Sequence, residues 1–189
     1  MRRMPMLYPI RPATLADKPQ LEALIARSAR ELSAGLYTPE QVEGALRGAF
    51  GVDTQLIVDG TYFVVEDAGK PIACGGWSKR RTLFGSDARA QRDASELDPR
   101  VDAAKIRAFF VDSAYARRGI GTALLDHCES AARAHGYTRF ELMATLPGVP
   151  LYTVRGYIPE TMLHYPLDGA DAEASALSIQ FVPMKKTVA

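Results

Sequence analysis

With 189 residues, 47% hydrophobic and 24% charged, the chain is long enough for one well-packed domain, has ordinary globular composition, and is too short for two domains. A formal net charge of +1 argues against a nucleic-acid binder working through a broad basic field. No run approaches the length of a membrane-spanning helix, and residues 1–8 lack the apolar core of a secretion signal despite Arg2 and Arg3, so the expected location is the cytoplasm.

Residues 7–11 read as a first strand. Thr14 then supplies a helix cap with Asp17 three residues on, and Leu21, Leu24, Ile25, Ser28 and Leu32 form one face of the helix that follows. A second helix is signalled more strongly: Thr38 caps, Pro39 takes the first helical position, Gln41 closes the box, Val42, Ala45, Leu46 and Ala49 line one face, and Gly51 ends it. Residues 61–66 and 71–78 are strand patterns joined by the turn Asp67-Ala68-Gly69-Lys70, which predicts an antiparallel hairpin. Gly75-Gly76 inside the second strand predicts a bulge or a close approach by something bulky. Trp77 follows directly; it reads as core, with a pocket wall as the other reading. From residue 80 to 104 the chain is polar with little periodicity, which reads as a mobile flap with a short helical turn near its middle.

Residues 106–111 are a short apolar run rich in aromatic and branched side chains, the pattern of a buried strand. From Gly121 onward Leu124, Leu125, Cys128 and Ala132 mark one stripe of a helix that Gly136 stops. The turn between strand and helix is Arg117-Arg118-Gly119-Ile120-Gly121-Thr122. Its glycines remove side-chain bulk and let N–H groups converge at a helix start, and its arginines add positive charge, so it reads as an anion cradle. The dinucleotide fingerprint is absent, because the position three residues after Gly121 is Leu124, and the G-x-x-x-x-G-K-[ST] loop is absent too. Residues 138–143 are a further strand, with Phe140 and Leu142 on one face and Glu141 and Met143 on the other, parallel to the strand before the helix. A short helix over residues 150–155 is stopped by Gly156, and residues 162–167 and 177–184 are two closing strands with polar residues 168–175 between them. Cys74 and Cys128 read as small buried hydrophobes, and His127, His135 and His164 show no metal spacing with them, so no metal is expected.

This strand-turn-helix resembles the acetyl-coenzyme-A motif of the GNAT superfamily of N-acyltransferases, written [RQ]-x-x-G-x-[GA]. Gly119 and Gly121 occupy the two small positions, and Ala116 stands where the family usually has Arg or Gln. Tyr152, Gly156 and Tyr157 keep the spacing of the family's second signature, in which a Tyr of a short helix lies near the coenzyme sulfur. The resemblance covers most of the chain.

The element order β-α-α-β-β-β-α-β-α-β-β predicts one domain, an α/β sandwich: a mixed, largely antiparallel seven-stranded sheet with helices on both faces. The resemblance implies acetyl transfer from acetyl-coenzyme A, as co-substrate, to a primary amine of a small molecule or peptide. It gives the coenzyme Arg117, Arg118, Gly119, Ile120, Gly121 and Thr122, with main-chain contacts from Phe110 and Val111. Tyr152 becomes the acid that assists the leaving thiolate, and the early helix pair becomes the acceptor wall. Glu31 and Tyr37 on that pair, and Trp77, are the acceptor-side candidates, although Glu31 and Tyr37 taken singly read as surface. Glu31, Glu66, Asp112 and Glu141 are all open as the base, since the position where some family members carry a strand-four glutamate is Lys105. A homodimer, a catalytically silent coenzyme sensor and an interaction protein of the same fold stay open.

Overall fold

Side chains alternate across a strand, so a strand that is apolar at consecutive positions needs cover on both faces. In the computed structural model, which describes residues 8–88, 93–167 and 177–189, β2 (Tyr62–Asp67) sends Tyr62 and Val64 to one face and Phe63 and Val65 to the other. Three helices cover the Tyr62 face: α1 (Lys18–Leu32), α2 (Pro39–Leu46) and the short α3 (Thr54–Val58). On the Phe63 face lies α4 (Ile120–Ala134), burying Leu124, Leu125, Cys128 and Ala132.

Between these layers runs one eight-stranded sheet of β1 (Ile10–Pro12), β2, β3 (Lys70–Ser78), β4 (Ala104–Val111), β5 (Arg139–Thr145), β6 (Ile158–Pro159), β7 (Leu163–Pro166) and β8 (Ser178–Thr187). Its order is β1-β2-β3-β4-β5-β8-β6, with β7 also paired to β8. β4 and β5 are parallel and the remaining strand pairs antiparallel. The expected architecture forms, with one strand and one helix more than the sequence suggests. β6 is two residues long and α3 five, too short for either period to show.

The local signals act as expected. Thr38 accepts from the Gln41 N–H at 3.2 Å while the Gln41 side chain accepts from the Thr38 N–H at 2.9 Å, closing the capping box of α2. In the β2–β3 hairpin Ala68 and Gly69 have φ of 48° and 77°, the left-handed pair that lets a tight turn match strand twist. Both cysteines are free and buried, and burial pushes the Cys74 thiol up to about 12. The glycine signal holds in an altered form: the extra residue belongs to β4. Cys74 pairs with Phe110 and Gly76 with Arg107, so Ala108 and Phe109 together face Gly75. A Cβ on Gly75 would sit 2.6 Å from the Phe109 ring, and one on Gly76 2.4 Å from the Thr61 carbonyl oxygen.

The polar stretch is tethered rather than loose wherever it is described; residues 89–92 and 168–176 lie outside the described residues, as do residues 1–7. Arg80 donates to both oxygens of Asp59 at 2.7 Å and bridges Glu96 in antiparallel fashion. Leu97 enters the core, and the helical turn closes at the far end of the stretch, where the Asp102 N–H donates to the Asp98 carbonyl at 2.7 Å. The strongest tether is Arg107 on β4. Its side chain is 2% exposed, and the guanidinium donates to Asp53 at 2.9 Å, to the Thr82 carbonyl at 2.9 Å and to the Gly85 carbonyl at 2.8 Å. Asp53 in turn accepts from the Gln55 N–H at 3.0 Å and so caps α3.

Removing one member of a buried pair leaves an uncompensated charge. Asp53→Ala is therefore expected to lose about 3–5 kcal/mol in urea denaturation, and Asp53→Ala with Arg107→Met to regain most of it. A single variant as stable as the parent would show that the pair does not hold the 82–85 segment.

Candidate active site

β4 and β5 are register partners only at Ala104–Phe140 and Lys105–Glu141, and beyond these positions the two strands part. A cleft of about 790 Å³ opens in the gap, within the range of small-molecule sites. Phe109, Phe110 and Val111 of β4 form one wall, and the opposite wall is made by Thr145, the turn at 146–148, and Leu151 and Tyr152 of α5 (Val149–Val154). The C-terminal part of α1 contributes Ser28 and Leu32.

At one end the cleft meets the turn before α4. Gly119 has φ of 79° with nothing within 4 Å of a would-be Cβ, and Arg117 takes φ of 63°, a region that costs a non-glycine residue energy. The first α4 hydrogen bond runs from the Ala123 N–H to the Gly119 carbonyl at 3.0 Å. The N–H groups of Gly119, Ile120, Gly121 and Thr122 therefore have no acceptor among the described residues, at the positive end of a fifteen-residue helix. Arg117 lines the cleft and makes no ion pair among the described residues, whereas Arg118 lies outside the lining and stacks over the Tyr115 ring at 5.2 Å. Gly121 also keeps the passage open, because a Cβ there would stand 3.2 Å from Leu151 Cδ2. Unpaired donors, with one cation and no competing carboxylate among the described lining residues, are what a phosphate-bearing ligand fits.

Tyr152 sits where the walls converge. It is 7% exposed, its ring packs edge-on against Phe109 and Tyr157, and its hydroxyl makes no hydrogen bond among the described residues. Burial pushes its pKa well above the ordinary tyrosine value, so the hydroxyl keeps its proton at any physiological pH. On the α1–α3 side a second hollow of about 60 Å³ reaches the same point; the two cavities share Phe50, Phe109, Phe110, Thr145 and Tyr152. Phe84, Met143 and Phe181 also line it. Sequence reading missed these three side chains, and periodicity carries no signal for them, because they come from three separate segments.

The acceptor-side candidates do not gather here. Trp77, 1% exposed, lies in the core beneath α4 against His135 and Tyr137, with ring centroids 5.0 and 5.8 Å away. Tyr37 is 6% exposed and holds backbone together: its hydroxyl donates to the Gln180 carbonyl at 2.6 Å and accepts from the Leu146 N–H at 2.8 Å. Glu31 is exposed outside the cleft and accepts from the Ser113 hydroxyl. Of the four carboxylates open as a base, none lines either cavity. Glu66 pairs with Arg11 at 2.6 Å and Glu141 with Lys105. Asp112 is opposed by burial, but hydrogen bonds from Arg27 at 2.7 Å and the Ala114 N–H outweigh that and hold its carboxyl below the usual range. Among the described residues, no group of three or more His, Cys, Asp and Glu side chains could hold a metal ion, and no helix is long and apolar enough to cross a membrane.

Comparison with solved structures places the fold among N-acetyltransferases. A GCN5-related N-acetyltransferase from Rhodopseudomonas palustris matches with a TM-score of 0.70 and 18% identity, covering 100% of both chains. PaiA N-acetyltransferase from Thermoplasma acidophilum, solved in complex with coenzyme A, matches at 0.64 and 15%, over 97% of this chain and 100% of its own. The Drosophila melanogaster polyamine N-acetyltransferase that forms N-acetylagmatine matches at 0.61 and 15%, over 96% of this chain and 100% of its own. No curated protein sequence matches the chain. The model of the Acetyltransferase (GNAT) family matches residues 30–157, from within α1 through the cleft turn to the residue after Gly156. The chain belongs to the GNAT acetyltransferase family and is an acetyl-coenzyme-A-dependent N-acetyltransferase.

Proposed function

We propose that the chain carries an acetyl group from acetyl-coenzyme A directly to a primary amine at the point where the two cavities meet. The observation that carries this reading is that junction itself, with the Tyr152 hydroxyl free of hydrogen bonds among the described residues and the donor-rich turn at the far end of the larger cleft. Arg117, Gly119, Ile120, Gly121 and Thr122 bind the pyrophosphate of the co-substrate, and Phe110 and Val111 flank its pantetheine arm in the gap where the β5-facing edge of β4 lacks a strand partner. Arg118 contributes charge near the mouth without lining it. The acceptor comes in from the aromatic hollow.

The amine nitrogen attacks the thioester carbonyl, the C–S bond breaks, the nitrogen gives up a proton and the sulfur gains one. A free amine of pKa near 10.4 is neutral only about once in several thousand molecules at pH 7, a penalty of roughly 4–5 kcal/mol. With no carboxylate among the described lining residues, desolvation by the phenyl walls is what favours the neutral amine. Tyr152 donates a hydrogen bond to the sulfur as negative charge builds. Full transfer of its proton to a thiolate is uphill by about 2 kcal/mol even for an unperturbed tyrosine, and burial raises that cost.

Gly121→Val fills the space beside Leu151 and the phosphate path, so acetyl-coenzyme A affinity by calorimetry should fall more than tenfold while the melting temperature stays near the parent's. Unchanged affinity would remove the turn from the binding site. Tyr152→Phe keeps the ring and deletes the hydroxyl; single-turnover acetyl transfer should slow by roughly 10²–10⁴ with coenzyme affinity nearly unchanged. A Phe variant that transfers at the parent rate would leave the thiolate to water or main-chain donors.

A further inference from the structure

The acceptor hollow differs in chemistry from the coenzyme cleft, and its walls speak to what enters it. Phe50, Phe84, Phe109, Phe110, Met143 and Phe181 make up much of its surface. The rings brace one another: Phe50 meets Phe110 at 5.7 Å and Phe181 at 6.2 Å, and Phe84 meets Phe181 at 5.4 Å and Tyr165 at 5.0 Å. Such tilted and edge-to-face contacts turn rings towards each other and fix the shape of the box.

Among the described residues of the lining the ionised group is a cation. Arg107 is neutralised by Asp53, and the same guanidinium occupies the Thr82 and Gly85 carbonyls. A second ammonium on the acceptor would leave water for phenyl rings and meet a guanidinium, with no carboxylate among the described lining residues to receive it. Size sets a further limit. About 60 Å³ is less than half of the roughly 150 Å³ that holds one benzene in an engineered apolar cavity.

We infer that the acceptor is a primary amine borne on a short, uncharged aliphatic group, and that dications and amines carrying an aromatic ring are poor substrates. The inference rests on the acetyl-transfer reading above and narrows its substrate class. It separates this chain from the Drosophila polyamine enzyme that shares its fold.

The test compares kcat/KM for ethylamine and propylamine with values for putrescine, agmatine, phenethylamine and (2-aminoethyl)trimethylammonium, alongside calorimetry of acetyl-coenzyme A binding. The last amine probes whether the rings act as a cation cage. Propylamine should exceed putrescine, agmatine and the quaternary amine by at least tenfold, and should exceed phenethylamine as well. If any of these four is used as well as propylamine, or if coenzyme binds and no aliphatic amine is acetylated, the inference fails while the coenzyme site stands. Failure of acetyl-coenzyme A to bind at all overturns the reading underneath. A gain-of-function variant adds an independent check: Met143→Glu puts a carboxylate into the wall and should shift the putrescine to propylamine ratio at least tenfold towards putrescine. An unchanged ratio in a folded variant would show that wall charge does not select the acceptor.

Discussion

Two residues of β4 stand opposite one glycine of β3, and the course of β4 after that point makes room for the site. Phe109 lies over Gly75 where any side chain would collide with its ring, and Ala108 is held at φ of 53° while its carbonyl accepts from the Tyr62 hydroxyl at 3.0 Å. An extra residue bends and twists a strand locally, and here the bend falls just past the last register pair between β4 and β5. The β5-facing edge of β4 beyond Lys105 has no strand partner, so Phe109, Phe110 and Val111 become cleft wall instead of continuous sheet. A parallel pair that stayed in register would close the cavity.

Charge is distributed to match. Where the chain buries ionised side chains it pairs them: Arg107 with Asp53, Lys105 with Glu141, and Lys186 with Glu129 at 2.7 Å, where Tyr157 adds a hydrogen bond of 2.9 Å. Pairing of this kind keeps the desolvation cost tolerable. The turn before α4 departs from that rule, presenting Arg117 and a row of N–H groups with no acceptor among the described residues. One end of the gap thus favours a polyanion and the other an apolar group. The junction between them is the buried, protonated Tyr152.

Whatever depends on near neighbours in the chain could be read from the residues alone. Thr38-Pro39 with Gln41, the Ala68-Gly69 turn, and Gly119 and Gly121 before a helical stripe are local agreements between residue type and backbone, and each forms where the spacing puts it. From these came the layer order, the parallel pairing of β4 with β5 and the donor-rich turn. Tertiary structure decided everything that needed distant partners. Glu66 and Asp112 were open as bases until Arg11, 55 residues away, and Arg27, 85 residues away, took them up. Trp77 read as core with a pocket wall as the other reading and Tyr37 as surface; the sheet turned the first beneath α4, and backbone groups of β8 and the 146–148 turn engaged the second. The aromatic hollow brings together Phe50, Phe84, Phe110, Met143 and Phe181, whose own segments give no hint of a common wall. A side chain's face can be read from the period of its element, but its neighbour across the sheet follows from how strands and helices pack, and packing is a property of the whole chain.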